Sequence, residues 1–430
     1  MKFHSTRGMS AVGLSETIAA GVATDGGLYV PESLPQFVPQ DFAADSTLAA
    51  VASRLLALFF ADDPLASPLD AICAEAFTFP APLRALSSAG DFVLELFHGP
   101  TAAFKDFGAR FLAACMQRLP RETLRPLTIL VATSGDTGAA VGAAFAGLSG
   151  FRVVILYPDG RVSPRQAHQL GCFGGNVAAL RIACSFDDCQ RLVKQAFGDA
   201  ELRARVPLSS ANSISLGRLL PQMTYYAHAA LVHWRTQSTY LNFVVPTGNL
   251  GNALACVLAR TCGLPIGRIA LATNANRVLA DFFAGADYAP RESVPTLANA
   301  MDVGAPSNFE RLRWLYPDAD ELRREFQAFA VDDAAIRETI RGRHARHREV
   351  FCPHTATAIH ALELLRAGGE GGDWCAVATA HPAKFDSIVE PLIGDPIAIP
   401  PALADLLARP AHAESLAANY TALRAQLSRD

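Results

Sequence analysis

The sequence predicts an α/β protein: open, twisted, mainly parallel sheets with helices on both faces. Three observations carry this. Mainly apolar strand-like runs recur at 127–132, 151–157, 177–182, 241–246, 268–273 and 374–379, as expected of parallel strands buried on both sides. Turn residues and a helical stretch follow most of them, which is the pattern of βαβ units. Of the 430 residues, 50% are hydrophobic and 18% charged, enough apolar side chain for a large core and two or three domains.

Residues 1–90 stand apart as an N-terminal region. Asp25-Gly26-Gly27 reads as a turn, and Leu28-Tyr29-Val30 as a short strand stopped by Pro31. Helical content runs from 48 to 60, after which Pro64, Pro68, Pro80 and Pro82 interrupt the chain. No chemistry-bearing cluster stands out here, and packing or a lid is the expected role. A strand over 92–97 and a helix over 109–119 bracket the stretch Phe97-His-Gly-Pro-Thr-Ala-Ala-Phe-Lys-Asp-Phe-Gly108. From 126 onward strand and helix alternate, with helices at 165–170 and 186–197. A hydroxyl-rich loop over 209–215 leads into a helix running through Tyr226. The 241–246 strand feeds a Gly/Asn loop and an Ala-rich helix. Residues 281–310 are loop-rich, 312–348 are mainly helical, and a helix to 365 follows Phe351-Cys-Pro-His-Thr355. The expected division is an N-terminal region of 1–90, a larger domain of 91–125 with 213–430, and a smaller one of 126–212.

Charge and cysteine usage exclude several functions. Net charge is −4 with no block of like charges, which argues against nucleic acid and against a polybasic membrane anchor. The N-terminus has no apolar signal core, and the longest apolar patches, such as 55–61, are too short to span a bilayer. Nine cysteines form no Cys-x-x-Cys pair, and they read as thiols of a reducing, cytoplasmic compartment, with metal excluded.

The candidate chemistry centres on Lys105. Lysine and arginine total 37, and only Lys2, Lys105, Lys194 and Lys384 are lysines. Where charge alone suffices this chain uses arginine, which stays protonated; a desolvated lysine can become a neutral, nucleophilic amine. Lys105 lies between Phe104 and Phe107 where a turn opens into a helix, a setting for Schiff-base chemistry with pyridoxal phosphate or for a lysine snorkelling from a helix start. Three further segments suit anions. Ser134-Gly-Asp-Thr-Gly138 follows a strand at the edge where open α/β sheets bind ligands, though a simply capped helix would look the same. Ser213 and Arg218 flank a helix entry suited to a dianionic phosphate. Thr247-Gly-Asn-Leu-Gly-Asn252 can turn successive N–H groups into one nest, and without Gly-Lys-Ser/Thr it is not a nucleoside triphosphate loop.

Taken together, His98-Gly-Pro-Thr-Ala-Ala-Phe-Lys-Asp-Phe107, Ser134–Gly138, Pro246-Thr-Gly-Asn-Leu-Gly-Asn252 and Ala380-His-Pro-Ala-Lys-Phe385 resemble the threonine synthases. Asp25–Pro31 and Asn299-Ala-Met-Asp-Val303 match that family too, specifically its longer microbial and fungal-like branch. The resemblance is collinear from about residue 20 to about residue 400. It implies a fold-type II pyridoxal-phosphate enzyme, like the tryptophan synthase β chain, with two open twisted α/β sheets and an additional N-terminal region. It implies that Lys105 carries pyridoxal 5'-phosphate, that Gly248, Asn249, Leu250, Gly251 and Asn252 cradle its phosphate, and that Thr379 meets the pyridine nitrogen. Ser134, Asp136 and Thr137 would lie around the substrate carboxylate and the cofactor ring edge, with Ser213 and Arg218 at the substrate phosphate. Ser215 stands where the family usually has Asn, and Cys352 where an acidic residue is common before Pro-His.

The implied reaction turns O-phospho-L-homoserine and water into L-threonine and phosphate. The alternative is a related phospho-lyase that releases 2-oxobutyrate, ammonia and phosphate; a non-catalytic cofactor carrier would not need the 213–218 loop. The expected partner is a small molecule, with neither nucleic acid nor membrane, in a monomer or weak homodimer.

Overall fold

The computed structural model describes residues 1–120 and 125–429. In the N-terminal region β1 (Phe3–Ser5) pairs antiparallel with β2 (Tyr29–Pro31). Then come β3 (Leu83–Ala85), β4 (Asp91–Glu95), β5 (Leu127–Ala132), β6 (Phe151–Pro158), β7 (Val177–Ile182) and β8 (Leu208–Ser209). The remaining strands are β9 (Leu241–Pro246), β10 (Ile266–Thr273), β11 (Phe326–Ala330), β12 (Trp374–Ala378) and β13 (Glu414–Leu416). Two larger sheets result. One has six strands in the order β11-β10-β9-β12-β4-β3, parallel except for β3; the other has five in the order β13-β7-β6-β5-β8, all parallel.

Alternation along each strand explains how the sheets pack. In β9, Phe243 and Val245 face one core and Val244 the opposite one; in β5, Ile129 and Val131 face that same first core while Leu130 faces a third. The first core is therefore shared by the two sheets. It also takes in the N-terminal helices and the helix Lys105–Arg118, whose Phe107 and Phe111 are fully buried. Each such phenylalanine contributes roughly 1.5–3 kcal/mol. The helix that carries Lys105 is thus wedged between the sheets.

Three features differ from the sequence reading. The helix begins at Lys105, not Ala109, because Asp106 accepts hydrogen bonds from Thr101 N (2.9 Å) and Thr101 Oγ1 (2.7 Å) and closes the preceding turn. Within the stretch read as helical, Phe326–Ala330 is a strand, paired residue for residue with Ile269–Thr273 at the sheet edge. Tertiary pairing there outweighs local propensity. Residues 414–427, expected with the larger sheet, lie on the smaller one: β13 pairs with β7, and Leu423 and Leu427 enter the core beneath it.

Candidate active site

Strands β9, β12 and β4 are adjacent and parallel, so their C-terminal ends and the loops that follow meet along one edge. That edge is where open α/β sheets bind ligands. After β4 the chain passes through 96–104 to Lys105, the first residue of its helix. After β12 comes Thr379, whose carbonyl accepts from Phe104 N at 2.8 Å, and a bridge between Ala103 and Ala380 locks the two loops together. Thr379 is thereby held beside Lys105.

Lys105 is half-buried, with its ammonium 5.8 Å from the centre of the Phe104 ring and no ion-pair partner among the described residues. Burial lowers its pKa to about 8; Asp136 opposes the shift, while the Arg218 and Lys384 charges add to it. An amine in that range is a usable base and nucleophile at neutral pH.

After β9, Leu250 adopts the left-handed conformation (φ 61°) and the helix Gly251–Thr261 begins. The N–H groups of its first turn have no intrahelical partner, an arrangement suited to an anion. Gly248 is required by a close approach: a Cβ there would lie 2.8 Å from Met301 Cα. The Asn249 side chain does not face the nest freely. Its Nδ2 donates to Ser213 Oγ (2.8 Å), its Oδ1 accepts from Ser307 N (2.5 Å), and its carbonyl accepts from Asn308 Nδ2 (3.0 Å). Asn252 is buried, its Oδ1 held by the Tyr225 and Tyr226 hydroxyls (2.5 and 2.9 Å), while Nδ2 is a buried donor without a protein partner. An amine, a helix-terminal nest and a spare buried donor fit pyridoxal phosphate.

The smaller sheet contributes the turn after β5. Ser134 and Thr137 are half-buried at its surface, whereas Asp136, first residue of the helix Asp136–Phe145, is 3% exposed. Asp136 Oδ1 meets Lys384 Nζ at 2.8 Å and accepts from Gln166 Nε2 at 2.9 Å. Burial works against ionisation, yet the neighbouring Lys384 and Lys105 charges hold this carboxyl well below its usual range. His354, buried nearby, accepts from Ala300 N through Nε2 (3.1 Å), and burial pushes its pKa down to about 4, so the ring is neutral.

Ser213 and Arg218 lie on the same turn but have separate partners. Ser213 binds Asn249, as above. Arg218 is 1% exposed, donates to Ala211 O at 2.6 Å, and packs on Gly108, where a Cβ would come within 2.8 Å of the Arg218 carbonyl. Burial lowers its pKa to about 10, which leaves it cationic, and its Nε has no partner among the described residues.

Several residues at this edge were not assigned from sequence. Lys384 belonged to a noted motif and is one of four lysines, so a signal existed. Gln166 looks only like the third residue of a capping box with Ser163, which it also is. Nothing in the sequence marks its second role toward Asp136.

Comparison with known proteins agrees with this geometry. A family profile described as "Pyridoxal-phosphate dependent enzyme" matches residues 80–380, one described as "Threonine synthase N terminus" matches 2–77, and "Threonine synthase, C-terminal" matches 355–427. The fold and site are those of a pyridoxal-phosphate enzyme. Threonine synthase of Serratia marcescens is 40% identical over 415 residues, covering 96% of this chain and 95% of the relative; that of Escherichia coli (strain K12) is 39% identical over 418 residues, covering 96% of each. The crystal structure of the Escherichia coli threonine synthase superposes with a TM-score of 0.92 at 37% identity, covering 99% of both chains. The pyridoxal-phosphate-bound one from Brucella melitensis gives 0.90 at 35%, covering 100% of this chain and 99% of that one. The chain belongs to the threonine synthase family of pyridoxal-phosphate enzymes.

Proposed function

We propose the following division of labour for the threonine synthase reaction, in which O-phospho-L-homoserine and water give L-threonine and phosphate. Lys105 would hold the cofactor through its amine and, as a free amine beside the bound substrate, would move the protons taken from Cα and Cβ, returning one to Cα and one to Cγ, which becomes the methyl group. When bound, pyridoxal phosphate supplies the electron sink for charge formed at the amino-acid carbons. Gly248, Asn249, Leu250, Gly251 and Asn252 hold the cofactor phosphate, chiefly through backbone N–H groups. The Thr379 hydroxyl would donate to the pyridine nitrogen and leave it unprotonated, where a carboxylate would keep it charged. Ser134, Thr137 and the N–H groups opening the Asp136 helix receive the substrate carboxylate. The Asp136 carboxylate itself is taken up by Lys384 and Gln166. Ser213 and Arg218 hold the departing phosphate, and water then adds at Cβ.

The observation that carries this reading is the low-pKa Lys105 at the meeting point of the loops after β4, β9 and β12. A second anion site beside the cofactor nest is supported by the unpartnered Arg218 Nε on the turn that carries Ser213. Nine free thiols, eight of them buried, suit a reducing compartment, and the form we propose is a cytoplasmic monomer or weak homodimer. Product analysis with phosphohomoserine is the test: threonine and phosphate in equal amounts are expected, and 2-oxobutyrate with ammonia would overturn the reading in favour of the phospho-lyase.

A further inference from the structure

We infer that Lys384 is a positioning residue: its ammonium ties Asp136 of the smaller sheet to the Lys105-bearing loop of the larger sheet and cancels the Asp136 charge at the substrate-carboxylate end of the cleft. The inference rests on the reading of Lys105 as the amine that takes the cofactor.

The geometry is that of a buried cross-sheet ion pair. Lys384 is 0% exposed; its Nζ lies 2.8 Å from Asp136 Oδ1 and donates to Thr101 O at 2.7 Å, four residues before Lys105. The same seam is stitched by neighbours. Ser163 Oγ donates to Lys384 O (2.7 Å), Arg165 to Ala383 O (2.6 Å), and Gln166 bridges Asp136 to Asn299 (2.9 and 3.1 Å). Gly135, at φ 128°, leaves room for that bridge, since a Cβ would lie 2.6 Å from Gln166 Nε2.

Hydrogen bonding alone does not explain the charges. Neutral amides could stitch the same seam without the desolvation cost of two buried ions. The charges matter because of what lies next to them. A bare carboxylate at Asp136 would repel an incoming carboxylate and hold the Lys105 amine in its protonated form. Paired with Lys384 it does less of both, because the Lys384 charge acts on Lys105 in the opposite direction. The titratable groups facing Asp136 are Lys384, Lys105, His354 and Cys352; those facing Lys105 are Asp136, Arg218, Lys384 and His354; and Lys384 also faces Asp106, His354 and His381. His354 is neutral, so Lys384 is the cation bonded to Asp136 itself.

The test separates charge balance from space filling. Apo-enzyme is mixed with pyridoxal phosphate across a pH series, and the rate at which the near-visible absorbance rises reports the free-amine fraction of Lys105. For the parent the midpoint is expected near the pKa of about 8. Lys384→Met should raise it by about one unit or more and raise KM for phosphohomoserine about tenfold. Asp136→Asn should lower the midpoint. The double variant Lys384→Met/Asp136→Asn should return both the midpoint and KM toward the parent, because neither charge is left alone. An unmoved midpoint in Lys384→Met, or a double variant no better than Lys384→Met, would overturn the inference. If Lys384→Met fails to fold, the Asp136→Asn midpoint decides: a downward shift supports the charge role, and no shift overturns it. Absorbance that survives Lys105→Ala would instead overturn the assignment of Lys105, and this inference with it.

Discussion

Two neighbouring loops each carry one of the four lysines, and they treat it in opposite ways. After β4 the chain leads to Lys105, half-buried, with no carboxylate among the described residues in ion-pair contact and a pKa lowered to about 8. After β12 it leads to Lys384, wholly buried, 2.8 Å from Asp136 and hydrogen-bonded to Thr101 O. The loops are bridged to each other between Ala103 and Ala380, so both lysines share one environment. Burial alone therefore does not explain the difference between them. The two differ in their partner: Lys384 has the Asp136 carboxylate in direct contact, whereas Lys105 feels Asp136 only at longer range, and there burial prevails.

The most severe break in this comparison is to exchange the fates of the two residues. Lys105→Ala should lower kcat by about four orders of magnitude or more, since it removes both the attachment point and the base, and should abolish the near-visible absorbance of bound cofactor. Lys384→Ala should keep that absorbance. The reverse result, read by absorption and turnover on the two purified variants, would exchange the assignments.

Next comes the cation behind the Lys105 helix. Arg218→Ala should lose about 30- to 1000-fold in kcat/KM for phosphohomoserine, equivalent to about 2–4 kcal/mol, with cofactor absorbance unchanged. Arg218→Lys should recover only part of it, because an ammonium lacks the planar fork. Steady-state kinetics showing undiminished kcat/KM, or cofactor lost with activity, would remove Arg218 from the substrate site.

A smaller effect is expected at the backbone-built nest. Gly248→Ala places a Cβ 2.8 Å from Met301 Cα, where main chain must shift. Overpacking of this kind costs about 1–3 kcal/mol, so the cofactor dissociation constant should rise roughly 5- to 150-fold. A cofactor titration with parent-like affinity would show that the approach of 301 to 248 is not what shapes the nest.

The smallest effect concerns the two histidines that flank the lysine pair. Burial lowers both His354 and His381 to about 4 from an ordinary 6.5. With folded values depressed, the unfolded chain binds protons first as pH falls. Stability is therefore full above about pH 6.5 and lost progressively toward pH 4, by on the order of 1–3 kcal/mol per buried ring. His354→Gln should flatten this decline in apo-enzyme melts. A variant with the same slope as the parent would place the acid sensitivity elsewhere.

How much was legible in the chain varies from residue to residue. The strands of the two sheets stand out because parallel strands covered on both faces must be mainly apolar, as 127–132 and 241–246 are, with one polar residue each. Lys105 stands out because lysine is so rare here and because its neighbours are aromatic. The Gly-rich loops stand out because backbone that approaches an anion or another chain segment has no room for side chains. These are local requirements, written at the residues that meet them.

Other features came only with the tertiary structure. Phe326–Ala330 is a strand because β10 offers it an edge, and Glu414–Leu416 because β7 does. Neither segment is long or apolar enough to announce itself. Asp136 reads in sequence as a residue facing the ligand, but Lys384, nearly 250 positions further on, claims its carboxylate. Arg218 reads as a phosphate-binding guanidinium at a helix entry, and only the fold shows that it is buried against Gly108. Residue types and their local spacing declare which atoms need special surroundings. Which distant group supplies those surroundings depends on how two sheets share a core, and that is a property of long-range packing that no window of sequence contains.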